Sequence, residues 1–328
     1  MAVLVTGGAG YIGSHMALKL GDAGEKVVVL DNLVTGFDWA IDPRAEFVQG
    51  DAADMELVGR LIRDRGLTDI IHFAGSAIVP ESVSDPLKYY RNNTATSRNL
   101  VEAAVKGGIG NIIFSSTAAV YGMTGLAPVE ETTPLLPMSP YGRSKLMTEW
   151  MLGDTAAAHP IKYGILRYFN VAGADPAKRS GQSSATATHL IKVAVQTALS
   201  QRPKMDIFGT DYPTPDGTCI RDYIHVTDLI EAHWLLLNHL RSGGESTTLN
   251  CAYGQGYSVR QVIDTVKSVS GIDFKVDEAP RRPGDPAAIT ATGEKVRQVL
   301  GWIPAHDDLR EMVSTALEWE RYLATRNR

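Results

Sequence analysis

The residues of this chain best equipped to move a proton are Tyr141 and Lys145, spaced Y-x-x-x-K at the start of a run with helical character. That i, i+4 spacing sets both side chains on one helical face. A free phenol titrates near pH ~10. A neighbouring ammonium, together with the positive charge of an oxidised nicotinamide, would stabilise the phenolate and lower that value, giving a base able to take a proton from a substrate hydroxyl. Taken alone, the pattern is common and mostly decorates exposed helices. Here it follows the triplet Ser115-Ser116-Thr117. One hydroxyl of that triplet could hold the substrate oxygen; the competing reading is a strand end whose hydroxyls only cap backbone.

A second constellation lies at the start of the chain. Residues 6–15 read TGGAGYIGSH, so that Gly8, Gly10 and Gly13 satisfy G-x-G-x-x-G, and Gly7, Gly10 and Gly13 the wider G-x-x-G-x-x-G. Glycine permits a sharp turn and lets a pyrophosphate approach without meeting a Cβ. The helix that follows offers free N–H groups and a partial positive charge. Asp31 ends the next apolar run; a carboxylate there accepts from ribose hydroxyls and repels a 2′-phosphate, which selects NAD over NADP. A glycine run by itself can be only a tight turn, and an acid at a strand end only a solvated turn residue. Strand, glycines, helix and acid in this order point to a dinucleotide. With NAD as the oxidant, the base at Tyr141 would act on a hydroxyl whose carbon gives up hydride.

Both constellations need a scaffold. Ala2–Thr6, Lys26–Leu30, Glu46–Val48, Asp69–Phe73, Asn111–Phe114 and Lys162–Leu166 are continuous apolar runs, as parallel strands covered on both faces require. Helical patterns alternate with them over Ile12–Ala23, Asp54–Arg65, Pro86–Lys106 and Pro140–Ala158. Alternation of this kind gives an α/β fold, a Rossmann-like doubly wound parallel sheet. After Asn170 the character changes. Residues 173–187 are small and polar and read as a mobile loop. They are followed by a helix near His189–Ser200, a strand at Met205–Phe208 and a helix beginning at Asp228. Ser258 with Gln261 forms a capping box, and Leu309–Leu323 is an amphipathic stretch. The expected division is a cofactor-binding domain of residues 1–172, with 224–252 returning to it, and a smaller C-terminal substrate-binding lobe over 173–328.

The chain has 328 residues, 44% of them hydrophobic, and a formal net charge of -5. That balance, without a long basic run, argues against nucleic acid as a partner. Cys219 and Cys251 are too few for a disulfide framework and fit a reducing cytoplasm. The N-terminus lacks the basic region of a signal peptide, and no apolar run approaches the ~20 residues of a membrane span. The histidines show no metal-ligand spacing, so no metal is expected. Repeats and low-complexity tracts are absent.

The glycine loop, Asp31, HFAG at 72–75, FSSTAAVYG at 114–122, YGRSK at 141–145 and RYFN at 167–170 together resemble the extended short-chain dehydrogenase/reductases. FGTDYPTPDGTCIRDYIHV at 208–226 and RRPGD at 281–285 are similar to the UDP-hexose 4-epimerases of that family. The similarity runs from the first residues to about Trp302. It implies an NAD-dependent isomerase that interconverts UDP-glucose and UDP-galactose. Tyr141 would be the base, Lys145 its electrostatic partner and the ligand of the nicotinamide ribose, and Thr117 the hydroxyl on the sugar. Gly7, Gly10, Tyr11, Ile12 and Gly13 would surround the diphosphate of NAD, and Asp31 and Asn32 its ribose. Asp51 and Ala52 would flank the adenine, with Phe73, Ala74, Gly75, Asn92, Ser115 and Tyr168 along the rest of the cofactor. Phe169, Asn170, His189 and Leu190 would lie on the substrate; Arg221 and Arg282 would clamp its diphosphate, Asp285 its ribose and Phe208 its uracil.

The family resemblance also implies a homodimer pairing the helices at 86–106 and 140–158, which carry Leu87, Tyr90, Leu100, Val101, Leu146, Trp150 and Met151 in what is otherwise a core stripe. Dehydratases and decarboxylases on this scaffold need an acid soon after the hydroxyl residue, and here Ala118 and Ala119 follow Thr117. Ser76 and Ala77 stand where many members have a lysine on the cofactor, which implies a weaker grip. His189 replaces an Asn and either contacts phosphate or faces solvent. Ile289 stands where relatives regulate room for an N-acetyl group. Open alternatives are an epimerase for UDP-N-acetylglucosamine or a UDP-pentose, a non-catalytic NAD-sensing regulator, and a net NAD-linked oxidoreductase on a sugar nucleotide.

Overall fold

The computed structural model describes residues 1–184, 187–282 and 284–326. Residues 185–186 of the expected loop and Pro283 of the RRPGD run lie outside them. The first half alternates strand and helix. β1 (Ala2–Thr6), α1 (Tyr11–Asp22), β2 (Lys26–Asp31), β3 (Glu46–Gln49), α2 (Met55–Arg65) and β4 (Leu67–His72) come first. They are followed by α3 (Val79–Ser84), α4 (Pro86–Tyr89), α5 (Thr96–Gly107), β5 (Asn111–Thr117), α6 (Pro140–Ala158) and β6 (Lys162–Tyr168). β1 is buried along its whole length and β2 beyond its first residue. Runs this apolar leave no face for water, so helices cover both sides.

The second half adds β7 (Asn170–Ala172), α7 (Leu190–Ala198), β8 (Met205–Phe208), β9 (Ile220–His225), α8 (Val226–Arg241), β10 (Thr247–Cys251) and β11 (Gly256–Ser258). α9 (Val259–Ser270), β12 (Val276–Ala279), β13 (Ala288–Ile289), α10 (Glu294–Leu300) and α11 (Leu309–Arg326) complete it. The central sheet has seven parallel strands in the order β3-β2-β1-β4-β5-β6-β10. Strand order reverses between β1 and β4, the point at which doubly wound sheets bind ligands. α1 and α8 pack on one face, α2, α5 and α6 on the other. β10 therefore reaches the sheet edge after a long excursion of the chain.

The remaining strands form a small sheet, β11-β9-β13 with β7 also paired to β9, and a separate pair, β8 with β12. Because β7 follows directly on β6, this second layer starts at the carboxyl end of the main sheet. Local chemistry sets the boundaries: the Ser258 side chain accepts from the Gln261 amide and the Gln261 side chain from the Ser258 amide. Gly66, at φ 59°, ends α2 in the left-handed region.

Three details differ from the sequence reading. The helix expected over 86–106 is interrupted by a π turn at Tyr90–Ala95, between α4 and α5. Within that wider turn Asn93 is buried; it accepts from the Ser76 amide at 2.8 Å and donates to the Ser144 hydroxyl at 2.9 Å. The stretch expected to be mobile is tied down where it is described. Ala174 and Gly181 form a bridge, Arg179 holds Asp175 and Asp22, and the Ser180 hydroxyl bonds that of Ser14 at 2.6 Å. Finally, α8 starts at Val226 rather than Asp228, because the His225 ring accepts from the Thr227 amide. Asp228 instead accepts from Ala305, His306 and Tyr253.

Candidate active site

The glycine loop joins β1 to α1 at the switch point. Gly7 has φ 71°, and a Cβ there would lie 2.7 Å from the Ala74 amide nitrogen, on the end of β4. A Cβ on Gly13 would lie 2.2 Å from the Gly7 carbonyl oxygen, so glycine is required for the helix to close on the loop. Gly10 is the N-cap of α1 and provides no side chain to it. Ala9, Gly10, Tyr11 and Ser14 line one side of a groove at this helix start. Thr35, Phe37 and the segment Gly181–Ser184 line its other walls. Asp31 closes the end of β2: it is buried and accepts from the Ala9 amide at 3.0 Å and the Leu33 amide at 2.8 Å. A carboxylate has room for further donors. Asn32 beside it is exposed and accepts from the Val34 amide. A bare helix N-terminus, a cradle that a Cβ would fill and a carboxylate beside it fit a dinucleotide diphosphate and ribose.

Further along the same edge, Asp51 is exposed and accepts from the Ala53 amide, while Ala52 is buried. Phe73, Ala74 and Gly75 follow β4, with the Phe73 ring 5.0 Å from that of His233. Asn92, in the π turn, donates to the Ser76 hydroxyl at 3.1 Å. The Ser115 and Tyr168 hydroxyls are hydrogen-bonded across β5 and β6.

The acid–base pair stands on α6. Ser139 accepts from the Gly142 amide at 3.2 Å and Pro140 occupies the first turn, which fixes the helix start and with it Tyr141 and Lys145. Lys145 is buried; its ammonium donates to the Ser115 carbonyl at 2.8 Å and lies 4.7 Å from the Phe114 ring. Burial lowers its pKa to about 8, against the pull of the Glu149 carboxylate. The protein's own groups push the Tyr141 phenol up. Burial is the larger cause, and hydrogen bonding with Thr117 opposes it. The Lys145 ammonium is turned to the Ser115 carbonyl, one helical turn on from Tyr141. Thr117 accepts from the Ala119 amide at 3.1 Å, leaving its own proton free to donate.

The expected substrate residues gather on the second layer. Asn170, on β7, donates to the Asp222 carbonyl at 3.2 Å, and Phe169 packs on a small core with Val120, Tyr121 and Leu146. Arg221, on β9, is paired with Asp285 at 2.5 Å. The guanidinium of Arg282 lies 3.7 Å from the centre of the Phe208 ring. These residues, drawn from two separate stretches of the chain, form two contacts, an ion pair and a cation–π stack. Ile289 pairs with Arg221 across β13 and β9. His189 occupies the N-cap position of α7, makes no cap hydrogen bond and is exposed, with Leu190 half-buried after it.

Several polar residues behind this site went unmarked in the sequence: Asn93, Ser144, Glu149 and Arg167, all buried. Their bonds cross between elements, so no local spacing announces them. Among the described residues no group of three His, Cys, Asp or Glu is placed to hold a metal ion, and no helix is long and apolar enough to cross a membrane.

Comparison with known proteins agrees with this geometry. A model of the NAD dependent epimerase/dehydratase family matches residues 3–252. The UDP-glucose 4-epimerase of Azospirillum brasilense is 56% identical over 321 residues, covering 98% of this chain and 92% of that one. Among solved structures, UDP-glucose 4-epimerase from Brucella ovis in complex with NAD superposes with a TM-score of 0.94 at 41% identity, covering 97% of each chain. UDP-glucose 4-epimerase from Bifidobacterium longum in complex with NAD+ and UDP superposes with a TM-score of 0.93 at 34% identity, covering 98% of each chain.

Proposed function

The chain belongs to the NAD dependent epimerase/dehydratase family, and from that footing we propose that it inverts C4 of UDP-hexoses, interconverting UDP-glucose and UDP-galactose through a transient 4-keto sugar. The observation that carries this reading is the meeting of the Thr117 hydroxyl and the Tyr141 phenol, with Lys145 on the same face of α6 and Ala118 and Ala119 next in the chain after Thr117. Neither alanine can move a proton, so the site has a base for the sugar hydroxyl and none for C5 or a carboxylate.

NAD would be held by the glycine loop and Asp31 and would supply a two-electron acceptor that takes the C4 hydrogen and returns it, its oxidised ring bringing a positive charge. As that hydrogen leaves as hydride, Tyr141 removes the O4 proton, while Thr117 donates to the same oxygen and orients it. Lys145 keeps a positive charge beside the phenolate. The keto sugar that results keeps only its nucleotide anchor, for which Phe208, Arg221, Arg282 and Asp285 are the proposed holders. The sugar can then rotate and offer its other face, and Tyr141 returns the proton to O4. Every bond made in the first half is broken in the second, so NAD is unchanged at the end.

In this reading residues 1–172 with 224–252 carry the cofactor, and the lobe formed by the rest carries the nucleotide. The two free cysteines, both buried, fit a reducing compartment, and we place the protein in the cytoplasm. We further propose a homodimer through the faces of α4 and α6. The apolar stripe divides there: Leu100, Val101 and Leu146 belong to the chain's own core, whereas Leu87 is 77% exposed and Trp150 59%. Introducing Arg at Leu87 and Glu at Trp150 is expected to give a folded monomer by analytical ultracentrifugation; an unchanged sedimentation coefficient would remove this interface.

The decisive assay incubates purified protein with UDP-galactose, without added NAD, and separates the products by chromatography. Formation of UDP-glucose without accumulation of reduced nicotinamide supports the epimerase. Net reduction of NAD would instead mark an oxidoreductase, and no conversion with NAD supplied would leave the regulator. UDP-N-acetylglucosamine assayed in parallel is expected to turn over more slowly than the hexose.

A further inference from the structure

We propose that Glu149 is a positioning residue for the Tyr141–Lys145 pair, its buried carboxylate clamping α6 onto β5 and β6 one helical turn from the Lys145 ammonium. The proposal rests on the epimerase reading for the role of Lys145.

Tyr141, Lys145 and Glu149 follow one another at i, i+4 and i+8 and so share a face of α6. The face is turned inward: Lys145 and Glu149 are both buried. Glu149 receives the fork of Arg167, with Nη2 at 2.6 Å and Nε at 3.1 Å and 3.2 Å from its two oxygens. The Ser116 hydroxyl donates to the same carboxylate. Ser116 and Arg167 are register partners across β5 and β6, and the next pair in register is Thr117 with Tyr168. One carboxylate thus grips both strands a single residue before they enter the site. Arg167 continues the network, donating to the Tyr121 hydroxyl at 3.0 Å, which donates to Asn250 on β10 at 2.6 Å.

A buried ion pair is a poor stabiliser, since desolvating both charges offsets most of their attraction. Its location explains more than its energy does. Ionisable groups on the elements packed against this part of α6 include His72 on β4, Tyr121 after β5, Arg167 and Tyr168 on β6, and Tyr141 and Glu149 on α6 itself. Burial holds His72 neutral, with a pKa of about 3, and raises the phenols of Tyr121, Tyr141 and Tyr168. Arg167 is a second cation. Glu149 is the anion whose pull acts on Lys145, against the burial that brings it to about 8. Without it, Lys145 would lose its proton at a lower pH and the phenolate its counter-charge.

Two substitutions break the same bridge with opposite electrostatic sign. Glu149→Gln removes the anion and leaves the cation; Arg167→Met removes the cation and leaves the anion. In the NAD-loaded enzyme, the alkaline limb of kcat against pH is expected to move acidward by about 1 unit in Glu149→Gln and in the opposite direction in Arg167→Met. Nitrogen NMR of isotopically labelled lysines, with the Lys145 signal assigned by its loss in Lys145→Met, reads the same titration without turnover. Opposite shifts by NMR support the proposal. Shifts of the same sign, or none, overturn it and leave Glu149 a structural residue. Should Glu149→Gln fail to fold, the direction of the Arg167→Met shift decides alone. A wild-type enzyme that ignores UDP-galactose would refute the epimerase reading, while the NMR titration would still test the charge relation.

Discussion

At Thr117 one hydroxyl is committed in one direction and free in the other: its oxygen accepts from the Ala119 amide, so its proton is left to face Tyr141 or a sugar oxygen. Tyr141 in turn is a phenol that burial holds protonated, which makes it a poor base until positive charge stands near it. Proton removal would then be coupled to cofactor binding, because an oxidised nicotinamide ring would bring that charge. Tyr141→Phe deletes only the hydroxyl. Its expected effect is a fall in kcat of at least ~10²-fold with NAD content unchanged. Turnover within a few-fold of wild type, in enzyme whose NAD is quantified after acid release, would mean that another group is the base.

Glycines at the β1–α1 turn show how an element constrains its residues. The Gly13 position lies so close to the Gly7 carbonyl that even one methyl must displace the helix from the loop. Gly13→Ala is expected to destabilise the fold by about 1–3 kcal/mol and to strip bound NAD, the first seen in a urea midpoint and the second in absorbance. Normal NAD content in that variant would separate helix closure from cofactor binding. The same turn was plainly legible in the sequence, because glycines and an apolar strand are local signals. So were the central strands, whose continuous Val and Ile runs come within a few residues of those observed. The break in the 86–106 helix was not: Asn93 is pulled inward by Ser76 and Ser144, which lie far from it in sequence. Likewise nothing near Glu149 signals that its partner is on β6. Of the site, Tyr141, Lys145, Asp31 and the glycines were readable from type and spacing. The pairing of Arg221 with Asp285 and of Arg282 with Phe208 depends on how separate strands come together.

On the scale of the whole molecule, buried histidines set a limit on acid stability. Burial lowers the pKa of His15 to about 4, His72 to about 3, His225 to about 3 and His233 to about 4. Each is depressed below its ordinary value near ~6.5. Between those values the unfolded chain binds protons that the folded one refuses, so stability present above pH ~6.5 is lost as the pH falls toward 4. Asp222, raised to about 7 by burial, and Asp307, also raised by burial, work in the opposite sense over part of that range. The urea midpoint is therefore expected to hold from pH 8 to about 6.5 and then decline, by on the order of a few kcal/mol in unfolding free energy by pH 5. A midpoint that rises on acidification would show that the carboxyls of Asp222 and Asp307 outweigh the imidazoles.

The late arrival of β10 has a consequence for how the protein is made. Until residues 247–251 leave the ribosome, β6 is the bare border of an otherwise finished sheet, its amides and carbonyls open to any passing strand. The roughly 80 residues between the two strands occupy synthesis for on the order of 4–16 s at ~5–20 residues/s. Throughout that interval the nascent chain is exposed to edge-to-edge association, and a message cut short in this stretch would yield a sticky fragment rather than a working half.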